Sequence, residues 1–257
     1  MDLTISTLTL ESFLLVVVRT GAFTAIAPLF GHRSVNARLR ILFAACISLT
    51  VFSAKNIALP VYSSVLGYSM LVIKEAAVGL SLGFVARLVM STLILAGEFI
   101  DREIGFTMST NFDPSTGAMV TITAELYDKL IYVIIIITGM HHYIIRAIAQ
   151  TFDIIPVGQV NASFDKLYVT VLDFIIQYYN IGFMIAMPIF ISMTMLNVIL
   201  GVLTKSSPQM NMFAIGMQMK VIIGMLALTI VIVFVPGIAN ILMDRMQTML
   251  NSLIGGF

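Results

Sequence analysis

"VLGYSMLVIKEAAVGLSLGFVARLVMSTLILAGEFI", from Val65 to Ile100, is the stretch on which the fold turns. It is longer than the roughly 20 apolar residues that a helix needs to cross about 30 Å of hydrocarbon. Yet it carries Lys74, Glu75 and Arg87, with glycines at Gly79, Gly83 and Gly97. It reads as one very long helix or as two with a break. A charge at a bilayer centre costs about 2.5–3.5 kcal/mol on insertion scales, so these three side chains need protein or water around them.

The whole chain fits that frame. Of its 257 residues, 59% are hydrophobic and 11% charged, with a mean hydropathy of +1.03. A soluble domain carries about 25% charged residues, so an integral membrane protein is expected. Further apolar runs cover Phe13 to Phe30, Ile41 to Leu59 with Lys55 inside, Leu126 to Ala149, Leu172 to Leu203 and Phe213 to Met243. The last two are over-long for single spans and contain Pro188 and Pro236. No strand is expected. The fold class is therefore all-α, about six to eight helices in kinked hairpins. One domain over 1–257 is expected, with first hairpins and a loop to about 125 and a second set of hairpins from about 126. Arg19 and Lys220 also fall within apolar stretches. Misplaced charges and broken helices together predict packing against protein rather than lipid, as in a subunit of a larger assembly.

A net charge of +1 gives no reason to invoke nucleic acid. The single cysteine, Cys46, excludes a disulfide framework. The first residues, "MDLTISTLTLESF", lack the positive region of a cleaved signal peptide, so the first helix is expected to stay. Arg33, Arg38 and Arg40 cluster after the first run, which places that loop in the cytoplasm and the amino terminus outside.

The second informative stretch is "GEFIDREIGFTMSTNFDPSTGAMVTITAE", Gly97 to Glu125. Gly105 and Gly117 bracket a flexible polar loop, and Asp113-Pro114 sets a turn. Phe106, Met108, Phe112 and Met119 are scattered through it. Irregular backbone survives at membrane depth only when covered by protein or lining a wet cavity. One reading makes Phe106, Met108 and Phe112 stoppers that close an aqueous passage by steric fill and dewetting. The other is an exposed loop whose phenylalanines fold back on a helix.

No catalytic site is visible. His141 and His142 are adjacent and point about 100° apart on a helix, so they cannot share a metal from one face; an interfacial helix end explains them. Glu98, Asp101, Arg102 and Glu103 read as a solvated helix end, with Glu98 and Arg102 at ion-pair spacing, as are Glu125 and Lys129. No nucleophile stands beside an oriented base, and no metal or cofactor is expected. The block Pro208, Gln209, Met210, Asn211, Met212, Phe213 joins a helix break to clustered methionines, which suits either core filling or an adaptable subunit interface.

In order, "RTGAFTAIAPLFG", "VNARLR", "GEFIDREIGFTMSTNFDPSTG", "GMHHYIIRAIAQTFDIIPVG" and "LTKSSPQMNMFAIG" resemble the FliR/SctT family of type III export-gate proteins. The resemblance runs from Arg19 to about Gly224. It departs at Lys205, where many relatives have Arg; a bidentate role there is not carried over. The resemblance implies a non-enzymatic subunit resembling a fused FliP-like and FliQ-like unit. It implies assembly with FliP-like and FliQ-like subunits, an FlhB-like protein at the entrance, and passage of unfolded flagellar proteins. The implied location is the inner membrane at the flagellar basal body, in contact with lipid. The family's plug loop falls on Gly105 to Gly117, so Phe106, Met108 and Phe112 would occlude the pore and Asp113-Pro114 would set the turn. The competing reading from the residues is a stand-alone ion-coupled transporter using Lys74, Glu75 and Arg87 near the midplane.

Overall fold

A computed structural model describes residues 7–32, 35–55, 57, 62, 64–108, 110–113, 118–160, 164–206 and 212–257. Among them are eight α-helices: α1 Thr7–Ile26, α2 Ala37–Ala54, α3 Val65–Ile104, α4 Ile122–Ile137, α5 His141–Ile154, α6 Phe164–Ser206, α7 Met212–Val231 and α8 Val235–Ile254. Five helical segments are long and apolar enough to span a membrane: Thr7–Ile26, Ala37–Ala54, Val65–Ile104, Asp165–Ser206 and Ile215–Ile254. The all-α membrane class holds.

Several local readings change. Val65–Ile104 is one unbroken helix, the first of the two readings its sequence allowed, and its glycines serve helix contacts. Pro188 lies inside a continuous α6: it removes one i→i−4 bond, and the long flanking helix holds both sides together. Pro236 sits at the second residue of α8, where no intrahelical N–H bond is needed, after a short 3₁₀ turn at Ile232–Phe234. α2 ends at Ala54, so Lys55 is its C-cap instead of lying inside the helix. The run from Leu126 to Ala149 divides at Gly139, whose φ of +73° ends a helix at little cost to glycine.

The polar loop is also more ordered than a flexible connector. Thr110–Asp113 (β1) and Ala118–Thr121 (β2) pair antiparallel, in the register Thr110↔Thr121, Asn111↔Val120, Phe112↔Met119 and Asp113↔Ala118. Threonine, valine and phenylalanine suit such a ribbon, but four-residue strands interrupted by Asp113-Pro114 are too short to show a period in sequence.

The chain gathers into two compact units whose segments interleave. The first draws on Met1–Val89, Gly139–Ile175 and Met243–Phe257, the second on Met90–Thr138 and Ile176–Leu242. In the first, α1 lies against α3 at glycines: a Cβ on Gly79 would come within 2.2 Å of the Arg19 carbonyl oxygen, and one on Gly83 within 2.9 Å of that of Phe23. Thr20 and Ser48 hydroxyls meet at 2.6 Å between α1 and α2. Leu15, Val16, Phe23, Val78, Leu82, Ala86, Ile144 and Ile148 form its buried core. In the second unit, Leu93, Ala96, Ile100, Ile104, Ala124, Ile131, Ile135, Ile189 and Met193 are buried. Large apolar side chains such as Met195, Val198, Val202, Leu226 and Ile230 remain exposed, an outer surface fit for lipid or neighbouring protein.

Candidate functional site

Two features of the fold concentrate polar groups where the surroundings are apolar. The first, in the first unit, is a buried ion pair. Arg19 of α1 and Glu75 of α3 are both fully buried, with Nε 2.5 Å from Oε2. Arg19 Nη1 also donates to the carbonyl oxygens of Thr151 and Ile155, at 3.3 and 2.9 Å. Glu75 Oε1 accepts from the Gly158 N–H at 2.8 Å. The guanidinium carbon lies 4.4 Å from the centre of the Phe152 ring, within cation–π range. Arg19 Nη2 alone has no acceptor.

The chemistry explains the placement. The carbonyls at the end of α5 carry partial negative charge, and that of Thr151 also accepts the Ile155 N–H at 2.8 Å. Arg19 supplies two bonds to them. Gly158, at φ +80°, turns the chain so that its N–H meets Glu75. Lys55 extends the pattern by donating to the Ala149 carbonyl at 2.6 Å and pairing with Asp153 at 2.5 Å. Lys74 donates to the Val160 carbonyl at 3.3 Å. Of the intramembrane charges singled out in the sequence, Arg19 and Glu75 therefore meet each other. Lys74 is half-buried beside them, and Arg87 is exposed.

The second feature is the root of the hairpin, in the second unit. α3 stops at Ile104. Gly105, at φ +98°, returns its N–H to the Asp101 carbonyl at 2.9 Å, a left-handed helix stop that side-chain-bearing residues rarely adopt. A 3₁₀ turn over Phe106–Met108 leads into β1. Phe106 is half-buried, while Met119 on β2 is exposed. Of the other loop residues singled out in the sequence, Met108, Phe112 and Asp113 are placed by backbone alone. Pro114 and Gly117 lie outside the described residues, as do Pro208, Gln209, Met210 and Asn211; Met212 and Phe213 open α7.

Asp101 is the residue that the sequence misled. Read as solvated, it is fully buried. Its Oδ2 accepts the Thr123 N–H at 2.8 Å and its Oδ1 accepts the Thr123 hydroxyl. Thr121, at the N-cap of α4, makes no side-chain cap bond, so a carboxylate from the preceding helix caps α4 in its place, where negative charge is favoured. One turn earlier, Gly97 lets the helices touch: a Cβ there would lie 2.3 Å from Ala124 Cα. Gly97 and Asp101 thus form a clasp that fixes both ends of the hairpin. The available signal was a glycine and an acid four apart on one helix, followed by Thr-x-Thr-Ala at the start of the next. Nearby, a cavity of about 210 Å³ is lined by Phe99, Phe183 and Phe190 together with Arg102 and Glu103.

His141 and His142 stack at 4.1 Å between ring centres, and His142 Nδ1 lies 2.9 Å from the Gly139 carbonyl oxygen. Among the described residues no three His, Cys, Asp or Glu side chains are grouped to hold a metal. Glu125 and Lys129 form the expected pair one turn apart.

The profile of bacterial export proteins, family 1, matches residues 10–246. The chain belongs to this family. Export-family relatives include the flagellar biosynthetic protein FliR of Bacillus subtilis, 32% identical with 94% of each chain covered. The protein of the same name from Buchnera aphidicola is 27% identical, with 95% of each covered. That of Caulobacter vibrioides is 27% identical over 92% of this chain and 93% of its own. Membership accords with the five apolar spans: this is a membrane-embedded export-family chain.

Proposed function

We propose that the chain is a non-enzymatic subunit of the flagellar type III export gate. It assembles with FliP-like and FliQ-like subunits, with an FlhB-like protein at the entrance, around a passage for unfolded flagellar proteins in the bacterial inner membrane. Its amino terminus faces the periplasm. The segment from Gly105 to Gly117 plugs the passage, with Phe106, Met108 and Phe112 as its apolar fill. The block from Pro208 to Phe213 serves as a subunit interface.

One observation carries this reading: a polar hairpin rises from a buried clasp of Gly97 and Asp101 in a membrane-embedded export protein. A two-stranded ribbon satisfies its inner amides and carbonyls but leaves two unpaired edges. Those edges need water or protein, and a gated aqueous passage provides both. The Gly97–Ala124 contact and the Asp101–Thr123 bonds hold the ribbon's roots in place, as a reclosable stopper requires. The transporter alternative finds less support, because both Glu75 oxygens are already engaged by Arg19 and Gly158.

Deleting Thr107–Ser115 in the assembled complex tests the plug. The expected result is increased leak of ions or small solutes across the membrane. Normal assembly with unchanged leak would refute it.

A further inference from the structure

Beyond the gate itself, the first unit contains a cavity of about 220 Å³ between α5 and the end of α8. Arg146 and Gln150 reach it from α5, one turn apart, and Gln247 and Asn251 from α8, also one turn apart. Tyr143 and Ile154 complete its α5 side. The apolar residues of α5, Ile144, Ile148 and Phe152, are buried in the unit, while Tyr143, Arg146, Gln150 and Ile154 are exposed.

The four polar side chains are unspent. No hydrogen bond or ion pair joins Arg146, Gln150, Gln247 or Asn251 to another side chain among the described residues, whereas the neighbouring acid, Asp153, is already paired with Lys55. No carboxylate lines the cavity. It therefore offers one fixed positive charge and three amide groups to whatever enters. That set matches a monoanion with several acceptor oxygens, and a guanidinium suits phosphate geometry in particular.

We propose that this cavity binds the phosphodiester headgroup of an anionic membrane phospholipid. A free phosphate presents the same oxygens, but the surroundings favour the lipid. A tyrosine and an exposed isoleucine flank the polar floor, the arrangement of a helix lying at a membrane–water interface. The chain itself spans the membrane, so lipid is always at hand. Basic pockets between helices are a recurrent site for acidic headgroups. The inference depends only on membrane embedding and stands or falls separately from the plug.

The test uses the full chain purified in neutral detergent. Phosphatidylglycerol, phosphatidylcholine and inorganic phosphate are each titrated and binding is followed by native mass spectrometry. Retention of phosphatidylglycerol is expected at concentrations where phosphatidylcholine and phosphate do not bind. Arg146→Ala should weaken it by at least about tenfold, equivalent to about 1.4 kcal/mol, with Arg146→Lys intermediate. Because Arg146 is exposed and unpaired, the variant's thermal melt without lipid should match the parent's. Equal binding of the two lipids, binding of phosphate alone, or undiminished binding by Arg146→Ala would overturn the proposal. Loss of the lipid when the chain joins its gate complex would overturn it too, assigning the cavity to a partner polypeptide.

Discussion

Removing Glu75 should damage this protein more than removing any exposed charge. In Glu75→Ala, Arg19 stays fully buried with its charge opposed by two carbonyl oxygens and the Phe152 ring but by no carboxylate, and the Gly158 N–H loses its acceptor. Breaking a buried pair from one side costs about 3–5 kcal/mol, against a whole-protein stability of about 5–15 kcal/mol. At about 2–4 °C per kcal/mol for a chain of this size, the melting midpoint should fall on the order of 10 °C. Arg19→Met should cost a similar amount, because it strands the Glu75 carboxylate. The double variant Arg19→Met/Glu75→Leu removes both charges and fills the space with apolar atoms. It should recover at least half of the single-variant loss, since well-packed apolar pairs replace buried ion pairs at little cost. The chain has no tryptophan, and its one cysteine, Cys46, is already exposed. Intrinsic tryptophan fluorescence and thiol-reactive dyes are therefore uninformative, and far-ultraviolet circular dichroism of the helices is the appropriate readout. Single-variant losses below about 1 kcal/mol, the range of exposed pairs, would refute the reasoning. So would a double variant whose loss equals the sum of the singles.

Gly97→Ala should cost about 1–3 kcal/mol through overpacking against the Ala124 backbone. Gly21→Ala, with open space around the new methyl, should be neutral or slightly stabilising; thermal melts of the two separate crowding from helix propensity. Asp101→Ala should speed hydrogen exchange at the Thr123 amide by roughly tenfold or more, since charge-assisted hydrogen bonds contribute about 1.5–3 kcal/mol, and unchanged exchange would remove Asp101 as the cap of α4. Asp153→Asn should change stability by less than about 1 kcal/mol, because the Asp153 side chain is 61% exposed. A loss as large as that of Glu75→Ala would overturn the ranking by burial.

Much of the candidate site was legible in sequence as places rather than as partners. Arg19, Lys74 and Glu75 stood out because charges in apolar runs are expensive, and Gly105 was readable as the point where α3 yields to the loop. Their partners were not readable. Arg19 and Glu75 are 56 positions apart, and the carbonyls to which Arg19 donates lie more than 130 positions from it. Asp101 was misread because an acid beside Arg102, Glu103 and a Ser/Thr-rich loop has the local composition of a wet helix end. Its burial follows from the close approach at Gly97, which no local pattern reports.

What the sequence determined by itself was the solvent: 59% hydrophobic and 11% charged residues commit the backbone to helices in a membrane, since helices satisfy their own amides without water. The run of apolar residues from Val65 onward allowed one long helix or two, and the structure decided for one. Tertiary structure decided the rest: that Pro188 bends no helix apart, that the polar loop pairs into a ribbon, and that one guanidinium reaches α3 and the end of α5 together. The physical reason is range. Propensity and transfer free energy act on a residue and its near neighbours, whereas a buried charge or a bare strand edge is stabilised by whichever distant group the packed chain brings within about 3 Å.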